Sequence, residues 1–415
     1  DISLGHIADA AQHFTDAARL EPANPTPRLN LAILRLHGSN TLDLAEARID
    51  LKRISMEATN FTIRCQATRE LIGDALRFKD ISTALSLSQA LTQPTNAFFS
   101  DKLLRLDVLR ETKSVELKPS IAQYEHDAVS NNAAIFEMAT WLMTRTSPAE
   151  ALTWLHTLPM TTQTNQPAAT LMAGCQVLTQ DWNGLQNSLT KQNWAELDFA
   201  RHAFLARSLR GQKLEGAATA EWGVAMQITR NEKASLTALF RLATQWQWND
   251  EAEQILWKIV NQYPEESWAG QTLQHALIVG GRTRSLMQLF GIQAKRRPAD
   301  IEIKNNLAAT AMLLNDMESN PYGLAREVYD KMPQNPSYAS TYAYSLYLQK
   351  KYTEALKVMQ KLTPKELNDP TVAGYYGLIL KATGDNVKAK AYLSWASKGK
   401  LLPEEQKLFN QAMGN

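Results

Sequence analysis

From Asn335 to Lys400 one order of apolar and polar positions is written twice. Tyr342 and Tyr376, Ala343 and Gly377, Leu346 and Leu380, Ala355 and Ala389, Met359 and Leu393, and Leu362 and Ala396 each stand 34 residues apart. Each copy predicts two helices with one apolar stripe apiece: a helix A with a large, a small and a large residue, a polar turn, and a helix B with small or apolar residues at i, i+4 and i+7. The period runs backward through Ala139, Ala151 and Leu155, repeated as Ala173, Leu185 and Leu189, and through Leu205, Leu209, Ala218, Trp222 and Ala225, repeated as Leu239, Ala243, Ala252, Leu256 and Ile259. Gln176 and Gln192 replace Leu142 and Leu158 and mark a degenerate copy.

Between Ser267 and Pro298 the pattern blurs; the register predicted there is Leu273, Ala276, Ser285, Leu289 and Ile292 around a turn at Gly280 and Gly281. Ala311 to Ala325 spans 14 residues where Leu346 to Ala355 spans 9, which predicts five extra residues around Asn315 to Pro321. Nearer the start, helices are predicted over 27–36, 42–54 (with Ala45 or Ala47 as the small residue), 62–78, 81–91, 98–110 and 120–129. Ala10, Phe14, Ala17 and Pro22 read as a helix B with no helix A before it, so residues 1–22 are expected to be half of a truncated repeat whose upstream sequence held an anchor or export signal. Pro403 to Met413 reads as a C-terminal capping helix, with Glu404 and Glu405 in its first turn and Gly414 after it.

These spacings resemble the tetratricopeptide repeat, in which Gly or Ala stands where two helices cross and larger residues surround it. The resemblance implies an all-α, right-handed α-solenoid of about eleven helix-turn-helix repeats in a single array over residues 1–415. It also implies that helix A lines a concave groove that holds peptides or helices of partner proteins. Carried onto this register, the groove-facing residues are Arg207, Arg210 and Arg241, then Asn305, Tyr344 and Tyr347, then Lys381. Arginine forks favour carboxylates, and tyrosines suit interfaces because they combine area with a polar tip. The paired lysines and asparagines of chaperone-binding relatives are not reproduced.

Charge narrows the partner. With 44 basic and 42 acidic residues the formal net charge is +2, which gives no reason to expect nucleic acid or an anionic membrane. Only Cys65 and Cys175 are present, both in predicted A helices, and no disulfide is expected. The histidines (His6, His13, His37, His126, His156, His202 and His275) lie in different repeats without metal-ligand spacing. No phosphate loop or nucleophile elbow occurs, so no cofactor, no metal and no catalytic activity are expected. Eight of the ten tryptophans lie between Trp154 and Trp268, and Trp246 and Trp248 flank a turn where one is expected to be exposed as a partner contact.

The leading expectation is a non-catalytic protein–protein interaction scaffold, periplasmic or membrane-anchored, of a bacterial envelope assembly. The alternatives are the substrate-recruiting or regulatory array of a larger enzyme, such as a glycosyltransferase, and an array that self-associates through its ends.

Overall fold

The computed structural model describes residues 7–38 and 40–414; His6 and Ser39 lie outside the described residues. The chain divides into two compact units, Asp1–Trp222 and Gly223–Asn415.

The first unit is built from α1 (Ile7–Leu20), α2 (Pro25–Leu36), α3 (Thr41–Glu57), α4 (Phe61–Arg77), α5 (Ile81–Thr92), α6 (Phe99–Glu111) and α7 (Leu117–Ala128). It continues through α8 (Asn132–Arg145), α9 (Pro148–Thr157), the single turn α10 (Met160–Gln163), α11 (Ala168–Leu178), α12 (Trp182–Thr190) and α13 (Asp198–Gly211) into α14 (Glu215–Ile228). The second unit holds α15 (Lys233–Gln245), α16 (Asn249–Gln262), α17 (Ser267–Val279), α18 (Thr283–Arg296), α19 (Ile301–Leu313) and α20 (Pro321–Lys331). It ends with α21 (Pro336–Leu348), α22 (Tyr352–Met359), the single turn α23 (Pro364–Leu367), α24 (Pro370–Ala382), α25 (Asn386–Ala396) and α26 (Pro403–Met413).

Paired in order, these helices make six A/B hairpins that begin in the first unit and five in the second, eleven in all among the described residues, with α1 before them and α26 after. In ten of these hairpins, from α2 on α3 to α24 on α25 but leaving aside α13 and α14, the A helix packs on its own B helix, and successive A helices touch one another: α2 with α4, α6 with α8, α8 with α11, α11 with α13, and, in the second unit, α19 with α21 and α21 with α24. The architecture is all-helical, with apolar stripes closed between neighbours in the chain.

Two local devices write the repeat into the backbone. The first is the helix start. Asn24, Asn40, Asn60, Asp80, Asn131, Ser147, Asp181, Asp300, Asn335, Asp369 and Asp385 each accept a hydrogen bond from an amide of the helix they precede, which satisfies one of the otherwise unpaired first-turn donors.

The second is the A-to-B turn. Lys79, Lys113, Gln180, Lys213, Gln247, Gly281, Asn315, Lys350 and Gly384 all have positive φ. The amide after each bonds back to a carbonyl five residues earlier, as in Asp80 to Ala75, Trp248 to Ala243 and Asp385 to Leu380. This is a Schellman ending, which folds the chain sharply back against the helix it leaves.

The core follows the predicted register with one slip. Leu205, Leu209, Ala218, Trp222, Ala225, Leu239, Ala243, Leu256 and Ile259 are buried, and Ala252 is half-buried. Ala47, not Ala45, is the small buried residue of α3. In α17 and α18 the buried positions include Leu273, Leu277, Leu286, Leu289 and Phe290, so the predicted Ala276 and Ser285 are each one residue early. The cause is the turn: Gly281, rather than Gly280, takes the left-handed conformation, which sets Leu277 in the place of Ala243. The lengthened connection between α19 and α20 is present over 314–320.

Polar groups also cross between repeats. In the first unit Arg69 of α4 holds Asp101 of α6 with two bonds of 2.5 and 3.0 Å, and Asp101 is 1% exposed. Cys65 and Cys175 are free and buried, and burial pushes the Cys175 thiol up to about 11.

Candidate partner-binding surface

The common register puts Asn305, Ser340 and Gly374 at one step of three successive A helices, Tyr344 and Leu378 at a second, and Met312, Tyr347 and Lys381 at a third. In the second unit α26 lies against this face. Phe409 is 1% exposed and shares one apolar cluster with Ala308 and Met312 of α19, Tyr344 of α21, and Tyr375 and Leu378 of α24; Tyr347, Leu408, Ala412 and Met413 pack at its edge.

The contacts are specific along the whole of α26. At its start Pro403 abuts Gly281, where a Cβ would come within 2.9 Å of the proline ring, and Glu404 accepts from the Thr283 hydroxyl. In the same first turn, Glu405 accepts from the Tyr375 hydroxyl at 2.6 Å and from the Leu402 amide at 2.9 Å. In the middle the Phe409 ring sits on Gly374, where any side chain would overlap it, and meets the Tyr375 ring edge-on at 5.4 Å. At the end Lys381 donates to the Ala412 carbonyl, placing a cation at the negative end of the helix.

Burial sets the protonation of this face. It raises the Tyr344 and Tyr375 hydroxyls well above the ordinary tyrosine range, so both remain neutral, and it raises the Glu405 carboxyl against the opposing pull of the Tyr375 and Leu402 hydrogen bonds. A cavity of about 400 Å³ remains beside α26, lined by Tyr347, Leu378, Lys381, Leu408 and Gln411.

Arg207 and Arg210 lie in the first unit. Arg207 stacks over the Trp182 ring at 5.1 Å, with its guanidinium pKa lowered by burial and then by Arg210. Arg210 pairs with Glu215 at 3.1 Å. Arg241 belongs to the second unit and is exposed. Asn305 is 3% exposed; its amide nitrogen reaches Ser337 at 3.5 Å and its oxygen has no hydrogen-bond partner among the described residues.

The expected exposure of Trp246 or Trp248 is corrected. Both are buried and pack edge to face at 5.1 Å, because the left-handed Gln247 folds the chain so that both rings turn inward. In the first unit the sequence pattern also passes over a cavity of about 710 Å³ between α3, α4 and α5, lined by Arg48, Lys52, Met56, Asp74 and Phe78. There Arg48 pairs with Asp74 at 2.6 Å and lies 4.5 Å from the Phe78 ring centre. The signal was the exposed apolar pair Met56 and Phe78 on helices otherwise patterned as amphipathic.

Residues 338–364, which span α21 and α22, match the tetratricopeptide repeat family. No curated protein matches the chain. Three solved structures are similar over most of their length: the APC/C hetero-tetramer Cut9-Hcn1 (12% identity, 99% of this chain, 94% of that one, TM-score 0.29); Naa15/Naa10 bound to HypK-THB (12%, 99% and 71%, 0.34); and the yeast Tom70 (15%, 100% and 85%, 0.28). Likeness at these scores carries no functional argument. Among the described residues no group of three or more His, Cys, Asp or Glu side chains is arranged to hold a metal, and no helix is long and apolar enough to cross a membrane.

Proposed function

We infer that this chain is a non-catalytic protein–protein interaction scaffold that takes a partner on its A-helix face, as part of a bacterial envelope assembly. One observation carries the binding part: in the second unit that face seats a helix, with an apolar anchor, a hydrogen-bonded carboxylate and a lysine at the helix end. The balanced charge suits a partner recognised by local contacts rather than by a broad field. In the first unit, Arg207 and Arg210 are proposed to receive an acidic side chain or C-terminal carboxylate.

The test is affinity purification from the source organism, with mass spectrometry, comparing the unmodified chain with Arg207→Ala/Arg210→Ala and with Tyr347→Ala. The reading expects one partner held by the unmodified chain and lost from at least one variant whose helical circular dichroism is intact. Equal recovery from all three overturns it. The envelope assignment stands or falls with an export or anchoring sequence in the full gene.

A further inference from the structure

We propose that the seat beneath α26 is a helix-binding site that works in trans, with α26 as its resident competitor, and that its partner is an amphipathic helix carrying a carboxylate followed four residues later by an aromatic ring. This rests on the scaffold reading above and adds the chemistry of the partner to it.

The seated helix defines what fits. Glu405, Phe409 and Ala412 follow one another at i, i+4 and i+7 and so share a face. Each meets a dedicated feature: the Tyr375 hydroxyl for the carboxylate, the bare Gly374 backbone for the ring, and Lys381 for the helix end. Gly374 stands in the interior of α24, where glycine weakens a helix; the ring above it is what the missing side chain makes room for.

The same contacts show that α26 is held lightly. Phe409 is the one residue of the helix that is fully buried, and the others are half-buried or exposed. The neighbouring cavity of about 400 Å³ leaves the seat incompletely filled. A six-residue connection, 397–402, joins α26 to α25, so it can leave its seat without unfolding the hairpin before it. A partner helix of the same pattern that also filled the space beside Tyr347 and Lys381 would cover more of the seat than α26 does.

The probe is a fluorescein-labelled peptide of residues 401–414, titrated by anisotropy into the full chain and into its Phe409→Ala variant. A peptide with the same phenylalanine replaced by alanine is the control. The variant is expected to bind the peptide at least tenfold more tightly than the unmodified chain, and the control peptide is expected not to bind. Tyr375→Phe, which keeps the ring and loses the bond to Glu405, is expected to weaken peptide binding when placed in the Phe409→Ala background. Hydrogen exchange over 336–348 and 370–382 verifies that the variants retain the seat.

With the seat intact, failure of the Phe409→Ala chain to bind the peptide overturns the proposal. Dimerisation of the unmodified chain by exchange of α26 overturns it in favour of a second copy as the occupant. If the peptide fails while partner capture still depends on Arg207 and Arg210, the seat is not the partner site but the scaffold reading survives; if capture is insensitive to every variant, the scaffold reading falls with it.

Discussion

Gly374 and Gly377 lie three residues apart on α24, and the same substitution at each is expected to act in opposite directions. A methyl at Gly377 would meet the Ala389 carbonyl and the Leu393 amide of α25, both at 3.1 Å. These are backbone atoms at a helix crossing, so the helices must separate, and Gly377→Ala is expected to cost about 1–3 kcal/mol. The atoms nearest to a methyl at Gly374 all belong to the ring of Phe409, at 2.3–3.0 Å. Gly→Ala inside a helix contributes about 0.5–1 kcal/mol of stability, whereas unseating a fully buried phenylalanine removes about 1.5–3 kcal/mol of apolar burial. That loss falls on the docking of α26, which can open by itself. Gly374→Ala should therefore leave the urea midpoint of the second unit unchanged or slightly raised, while opening of α26 increases by about tenfold to a hundredfold at 1.4 kcal/mol per decade. Trypsin cleavage after Lys407, which lies on α26, reads the opening; urea unfolding followed by circular dichroism reads the hairpin. If Gly374→Ala lowers the midpoint as much as Gly377→Ala while Lys407 stays protected, α26 is an integral part of the array and the argument fails.

Three further outcomes follow from named contacts. Arg69→Ala leaves the Asp101 carboxylate buried without its fork and should destabilise the first unit by about 3–5 kcal/mol, whereas Arg69→Met with Asp101→Asn should recover most of that loss in a urea titration. Lys381→Ala removes the donor to the Ala412 carbonyl and should speed exchange of the last turn of α26 severalfold without moving the unfolding midpoint. Glu405 has a docked pKa raised above the ordinary 4.5, mainly by burial, so the docked state holds its proton more firmly than the open one. Docking should be strongest below pH 4.5, weaken as pH rises through the docked value, and level off above it; Glu405→Gln should flatten this dependence in exchange rates corrected for intrinsic pH effects.

The fold was legible because burial in a helical repeat depends on spacing alone. Apolar runs and polar breaks located the hairpins before α8, and the 34-residue step those after it; the register slipped at Gly280 and Gly281, where two adjacent glycines could each take the left-handed place. The turn signal itself was hidden, since Lys79, Lys113, Gln180, Lys213, Gln247, Asn315 and Lys350 adopt a conformation that the pattern would have assigned to glycine. The register that sets Tyr347 and Lys381 at one step of successive A helices was equally readable.

What covers those residues was not. Period and propensity place α26 at 403–413 but say nothing of which surface it meets; the clue was Gly374, a glycine inside a helix at a position where the previous repeat has Ser340. Trp246 and Trp248 were misjudged for a related reason, because residues that flank a sharp turn can both point inward when the residue between them is left-handed.

The most direct measurement is hydrogen exchange in the unmodified chain, comparing the amides of α26 with those of 376–380 in α24, beneath it. If α26 is a resident of a binding face, its amides should exchange at least about a hundredfold faster than those of α24, through a local opening that leaves the hairpin closed. Equal protection of the two helices, lost together on denaturation, would show that α26 is bound into the array and that the face beneath it is not open to a partner.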